Sequence, residues 1–385
     1  MQHCVLCLPL TVPSEVNPGF AMTPFVLSTV SRLTGLTSVC CINLTGLRYE
    51  GIAKHEVSKR FEQFRKLLDR LGTSIGHYWT DNEPGHVARL QGYCEQLVET
   101  GDLQTRIAPT LICQCGAAEV VEEAINSDWS MDRKVLHQRD GRVFCRRCNT
   151  PLKAVRKPCL LLESRFAGKP LATFPSFYQK EVEMLQEGFG QLLLVSRQRK
   201  SGYRVSLFGR TWRLDTDFCW SLLFCSLLED GFQPDAVIVS SRSLKPLVWS
   251  VGISRKLSRR LSAITVVVTP FVRFEASSPK PFSIGTLKQL IDRYGRSPTR
   301  LLLGSGLKWN QKEVVVSSST IFWVLKALAR DSVAIPSAVK ATFPLSEVLP
   351  LTDGHVVDRL IANLRKEERV PLSAYQNLLL GKERR

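Results

Sequence analysis

The chain has 385 residues, 44% hydrophobic and 23% charged, enough for two or three domains with sizeable cores. No apolar run reaches the roughly 18 residues a membrane span needs, and the opening MQHCVLCLPL is too short and lacks the basic start of a secretory signal. Fifty-two basic against 35 acidic side chains leave a net charge of +17, which points to polyanionic partners, nucleic acid first, and twelve cysteines without an export signal point to the cytoplasm or another reducing compartment.

In chain order, Cys4-Val5-Leu6-Cys7-Leu8 closed by Pro9 has the pattern of a buried parallel strand. A turn over 11–19, a helix over 20–33 and a second apolar run over 38–43 complete an opening βαβ unit. Residues 54–71 form an amphipathic helix with Val57, Phe61, Phe64, Leu68 and Leu71 on one stripe and Gly72 at its stop. Trp79-Thr80-Asp81-Asn82-Glu83 leads into a second helix with Val87, Leu90, Cys94, Leu97 and Val98 inside and Gly101 after it. His86 is assigned to the start of that helix rather than to any reaction.

Two cysteine pairs follow, Cys113/Cys115 and Cys145/Cys148, about 30 residues apart, a spacing that lets two knuckles offer four thiolates to one Zn²⁺. Gly116 and Asn149, directly after the pairs, suit the knuckle turns. The first pair is C-x-C rather than C-x-x-C, which strains a shared tetrahedral site. A metal-free remnant with buried cysteines is one alternative, and a metal site with His137 as a substitute ligand is another.

The chain returns to its main sheet near 157–164, then forms a helix over 181–194. A basic stretch follows (Arg197, Arg199, Lys200, Arg204, Arg210, Arg213), with a small hairpin around Gly209. Residues 217–228 read as an apolar, aromatic helix containing Trp220, 235–240 as a buried strand, and 264–268 as the last strand. Arg242, Lys245, Arg255, Lys256, Arg259 and Arg260 add a second basic group, suited with the first to a nucleic-acid face. A helix, a Gly295 stop and a second helix start span 286–303, and two more helices are expected at 318–329 and 355–366, before a frayed tail at 382–385.

Asp292-Arg293-Tyr294-Gly295 resembles, letter for letter, a segment of class I aminoacyl-tRNA synthetases, closest to the methionyl type. The helix pair over 64–101, the cysteine insert and Val195-Ser196-Arg197 are similar in order to the same family. The resemblance implies a Rossmann-like parallel α/β sheet split by a small cysteine-rich zinc-knuckle insert, with a short helical C-terminal region. The implied divisions are 1–106, 107–165, 166–275 and 276–385. It also implies where ATP is handled. The family's first turn carries two histidines and a close glycine, and Ala21, Pro24 and Thr23 stand at those positions. The strand-end motif with Asp and His becomes residues 46–51, without either. In the later Lys-Met-Ser-Lys-Ser loop, Ala276 and Pro279 replace the lysines and Lys280 lies one step on, able to reach a phosphate only from a shifted loop.

The expected protein is therefore synthetase-like but without an ATP site, binding tRNA or another RNA along its basic face, or a protein partner as a subunit of an assembly. The alternative is a repurposed enzyme that uses an amino acid or aminoacyl-tRNA in a non-ribosomal step, with Trp220, Arg242, Lys245 and Lys280 lining a pocket. An unrelated nucleotide binder ranks last, since neither G-x-G-x-x-G nor a P-loop occurs.

Overall fold

A computed structural model of the chain describes residues 1–45, 52–116, 118–124, 136–163, 170–187, 193–197, 202–258, 261, 264–275 and 285–317. Strand β1 (Gln2–Leu10) runs through the centre, and Cys4, Val5, Leu6 and Cys7 are fully buried because both faces of its sheet are covered. Asn17 then caps a short 3₁₀ turn, Pro18–Ala21, by accepting the Phe20 amide at 3.0 Å. Helix α1 (Met22–Thr34) follows and ends at Gly35, with φ 74°. Strand β2 (Thr37–Ile42) lies parallel to β1, completing the expected βαβ unit.

Helix α2 (Lys54–Leu71) has the expected bounds and buries Val57, Phe64, Leu68 and Leu71. Strand β3 (His77–Thr80) differs from the expectation of a mere lead-in to a helix. It is a short edge strand whose Trp79 and Tyr78 pack into the cores on opposite faces of the sheet, so its pattern is too brief to show alternation. Helix α3 (Pro84–Glu99) follows it.

The next segment builds a second sheet. Its strands are β4 (Leu103–Ile112), β5 (Glu119–Val121), the β6 (Leu136–Arg139) and β7 (Arg142–Cys145) hairpin, and β8 (Lys153–Leu162). β4 and β8 pair antiparallel from Leu103↔Leu162 to Ile112↔Lys153, so this sheet starts before the boundary expected at 107. Strand β9 (Ala172–Phe174) and helix α4 (Gln179–Glu187) come next. The helix expected to reach 194 ends at Glu187, and Leu193–Leu194 is strand β10, paired with β8. Gly188 and Gly190, poor helix formers, stand between them in the sequence. Strands β11 (Arg204–Leu207) and β12 (Arg210–Arg213) make the expected hairpin; Phe208 (φ 53°) and Gly209 (φ 71°) are both left-handed, as a two-residue turn of this twist requires.

The apolar helix expected over 217–228 is two helices, α5 (Thr216–Ser221) and α6 (Leu223–Glu229). Near the break, the Ser221 hydroxyl donates back to the Phe218 carbonyl at 2.6 Å. Strand β13 (Phe232–Ser240), helix α7 (Leu244–Leu257) and strand β14 (Thr265–Thr269) finish the main sheet. Its order is β3-β2-β1-β13-β14-β9, with every neighbouring pair parallel. The chain reverses direction of winding between β1 and β13, which makes their carboxyl ends the natural crevice. Strand β15 (Phe271–Glu275), helices α8 (Leu287–Tyr294) and α9 (Arg296–Ser305), and strand β16 (Glu313–Ser317) close the described chain, β15 and β16 pairing in parallel. Thr286 and Gln289 form a reciprocal capping box on α8. The expected helices at 318–329 and 355–366 and the tail lie outside the described residues.

Candidate functional site

The four cysteines come together. Cys113 and Cys115 follow β4, Cys145 ends β7, and Cys148 sits one turn on. Gly116 (φ 70°) and Asn149 (φ 53°) take the left-handed conformation that turns each knuckle. All four sulfurs lie within 4.8 Å of one another, with Cys113–Cys148 at 3.1 Å, Cys113–Cys115 at 3.2 Å and Cys115–Cys145 at 3.7 Å. No pair is bonded as a disulfide. A tetrahedral zinc with Zn–S near 2.3 Å needs sulfurs about 3.8 Å apart, so a modest expansion of this cluster fits one ion. The C-x-C pair does not prevent it.

The surroundings act on the thiols in opposite directions. Burial raises the Cys145 thiol's pKa, and the backbone N–H groups of Cys148 and Arg147, which point at its sulfur, offset this only in part. Thr150 presents its hydroxyl to Cys148 at 3.0 Å, and this contact and the Cys113 thiol bring the Cys148 thiol down to about 6. His137 stacks on Phe144 at 5.4 Å and is outside the group, which corrects its assignment as a substitute ligand. Among the described residues no other group of three or more His, Cys, Asp or Glu side chains gathers in this way.

A buried ion-pair network ties the second sheet to the end of the β11–β12 hairpin. Lys157 on β8 pairs with Glu119 on β5, and Arg197 donates to the Glu119 carbonyl and, at 2.7 Å, to Asp215. The side chains of Arg197 and Asp215 are only 4% and 6% exposed. Arg197 therefore holds the fold together and is not part of a surface basic face. Arg255 is likewise buried, donating to the Leu261 carbonyl at 2.9 Å, and burial lowers its pKa. Lys256 is paired with Asp102 at 2.6 Å. Arg210 is exposed over the Trp212 ring, Lys245 is half-buried, and Arg242 is exposed. Arg199, Lys200, Arg259 and Arg260 lie outside the described residues, as do 46–51, Ala276, Pro279, Lys280 and the side chain of Trp220.

At the crevice, Ala21 is completely buried and Thr23 and Pro24 are buried at the start of α1. Neither Ala21 nor Pro24 has a side-chain donor. β15 lies directly on the preceding turn: a Cβ added to Gly19 would stand 2.2 Å from the Val272 carbonyl oxygen. The Val272 side chain packs in turn against Gly306, just after α9. Across the crevice, Arg242 lies 3.5 Å from the centre of the Phe271 ring and 3.2 Å from Glu313, which also faces Arg273 at 3.7 Å.

Two further buried polar residues each have partners of their own. His86 accepts or donates at Ser226 Oγ, 2.8 Å away, tying α3 to α6, and burial lowers its pKa to about 4. It occupies the first turn of α3, as expected, but bonds to a neighbouring helix. Asp81 accepts from the Leu44 amide (2.7 Å) and the Thr45 hydroxyl (2.5 Å), and burial raises its pKa to about 6. The inward spacing His86, Leu90, Tyr93, Cys94, Leu97 is helical, and that signal alone places His86 inside.

No protein-family model and no curated protein matches the chain. Solved structures do match. A Mycobacterium tuberculosis methionyl-tRNA synthetase bound by methionyl-adenylate aligns over 99% of this chain and 88% of its own, with TM-score 0.64 and 11% identity. The chain has the methionyl-tRNA synthetase fold. A second structure of the Mycobacterium tuberculosis methionyl-tRNA synthetase, in complex with methionyl-adenylate, aligns over 99% of this chain and 81% of its own, with TM-score 0.62 and 12% identity. The expected mixed α/β class with a central parallel sheet and a cysteine cluster that can bind zinc is the one observed. Among the described residues no helix is long and apolar enough to cross a membrane.

Proposed function

We propose that this chain is a synthetase-fold protein that has given up amino-acid adenylation and works by binding RNA, with a structural zinc in its insert. The observation that carries the reading is the start of α1. Where the resembling family places groups that handle ATP, this chain has a buried Ala21 and Pro24, and the Val272 carbonyl is pressed onto Gly19. A carbonyl oxygen is an acceptor and repels phosphate oxygens. Each lost group that stabilises developing charge costs roughly 100- to 1000-fold in rate, so their joint loss leaves little catalysis.

Zinc in the cluster would be structural. Four cysteines fill a tetrahedral coordination shell and leave no position for water or substrate. For RNA, the supports are the net charge of +17, the shared fold with enzymes that serve tRNA, and exposed arginines such as Arg210 and Arg242. Equilibrium binding of tRNA and of unstructured RNA across a salt series tests this. The expected result is a straight fall of log affinity with log salt, with a slope of about −0.7 per neutralised phosphate for single strands. Absence of binding at low salt would overturn it.

A further inference from the structure

β13, β14 and β9 are adjacent parallel strands, so their carboxyl ends, at Ser240, Thr269 and Phe174, lie at the same edge of the sheet. Within a few residues of each end stands a cation or an aromatic ring: Arg242 after β13, Phe271 and Arg273 after β14, and Phe177 after β9. Strands about 4.8 Å apart place this row across roughly 10 Å, leading outward from the crevice.

The row is tied together by an unbroken chain of contacts. Phe177 meets Tyr178 edge-to-face at 5.1 Å, and the Tyr178 hydroxyl donates to the Gln311 carbonyl at 3.2 Å. Lys312 pairs with Glu181 at 2.5 Å, and its carbonyl accepts from the Ser241 hydroxyl at 2.8 Å. Arg242 then stacks on Phe271 and shares Glu313 with Arg273. The ring of Phe177 belongs to a residue 52% exposed, although nothing in the fold requires a phenylalanine at the surface there. The side chains of Arg242, Arg273 and Lys312 are 57%, 53% and 60% exposed, and Lys180 is exposed beside them.

We infer that this row is a platform for unpaired RNA, with bases stacking on Phe177 and on the Arg242–Phe271 pair, and phosphates meeting Arg273, Lys312 and Lys180. The inference rests on the RNA-binding reading above and assigns its site and mode. Exposed rings interleaved with cations fit single strands, whose bases offer free faces, better than a duplex, whose bases are already stacked. Arg273 and Lys312 face Glu313 and Glu181, and these carboxylates can release them to phosphate with little cost at an exposed site.

The test is fluorescence anisotropy with a labelled oligouridylate of about 12 nucleotides, a length that spans one to three such sites, and with an RNA duplex of the same length. The full-length protein is compared with Phe177→Ala, Phe177→Trp, Arg242→Ala, Lys312→Ala and, as a control on α2, Lys66→Ala. The platform predicts preference for the single strand. It also predicts a loss of about 5- to 100-fold for Phe177→Ala, the effect typical of removing one stacked base contact, with binding retained in Phe177→Trp. Arg242→Ala and Lys312→Ala should weaken binding and flatten its salt slope, and Lys66→Ala should leave it unchanged. Wild-type binding with unaltered Phe177→Ala and Arg242→Ala affinities would overturn the platform and leave the RNA reading intact. Preference for the duplex would also overturn the platform. No binding of either RNA by the wild type would overturn both.

Discussion

The cysteine insert and the turn before α1 differ in kind. In the insert, four donors converge and their turns, Gly116 and Asn149, adopt the left-handed backbone a knuckle needs. At the turn, the Asn17 cap and the close approach at Gly19 are in place, and Ala21 and Pro24 at the start of α1 are aliphatic and buried. One site thus gathers donors and the other only packs side chains, because burial and backbone geometry select for shape, and only chemistry selects for a donor.

Removing the proposed zinc should have the largest effect. Structural zinc sites bind with apparent energies of about 10–16 kcal/mol, so chelation or Cys148→Ala should melt the 113–150 region and abolish stoichiometric zinc, as read by elemental analysis and hydrogen exchange. Hydrogen exchange in the main sheet should change far less. Equal loss in both sheets would erase the distinction between the two regions.

Next is the buried pair that ties the second sheet to the β11–β12 hairpin. Asp215→Asn removes the carboxylate charge that faces the buried Arg197 guanidinium, and should cost about 3–5 kcal/mol in denaturant unfolding. A surface pair such as Arg65–Glu62 should cost at most about 1 kcal/mol.

Two buried groups near the crevice give opposite pH dependences. His86 titrates near 4 in the folded protein and near 6.5 unfolded, so the unfolded state takes up its proton first and stability falls by about 3 kcal/mol as pH drops from 6.5 to 4. Asp81 titrates near 6 folded and 3.8 unfolded, so the folded state takes up its proton first and stability rises by about 3 kcal/mol over the window from 6 to 3.8. The two nearly cancel in the wild type. Asp81→Asn should expose the falling His86 profile, and a flat profile in that variant would show that His86 is not held neutral by burial.

The smallest effect sharpens the crevice side. Ala21→His places an imidazole in a fully packed site, and should cost about 1–3 kcal/mol without creating ATP affinity. A stable variant that gained ATP binding would show that the crevice lacks only a side chain.

Much of this was legible in the sequence where the determinants are local. The α2 stripe ending at Gly72, the Phe208–Gly209 turn, the βαβ opening and the four cysteines each announce themselves within a short stretch. The sites of long-range pairing were not legible. Arg197 and Arg255 read as surface charge, and only the approach of Asp215, Glu119 and Leu261 makes them internal. Nothing in the sequence singles out Phe177, and only the parallel placement of β9 beside β14 puts it in line with Arg242. β3 was too short to show a period, and the α5–α6 break is marked only by Ser221, a single polar residue that a continuous helix would also tolerate.

The central claim is that the carboxyl-end crevice no longer handles ATP. Amino-acid-dependent exchange of pyrophosphate into ATP, run across the twenty amino acids on zinc-loaded protein with ATP binding measured by calorimetry, tests it most directly. The account predicts neither ATP binding nor exchange with any amino acid. Exchange with even one would contradict it, and would mean that residues beyond Ala21 and Pro24 have rebuilt an adenylation site on this fold.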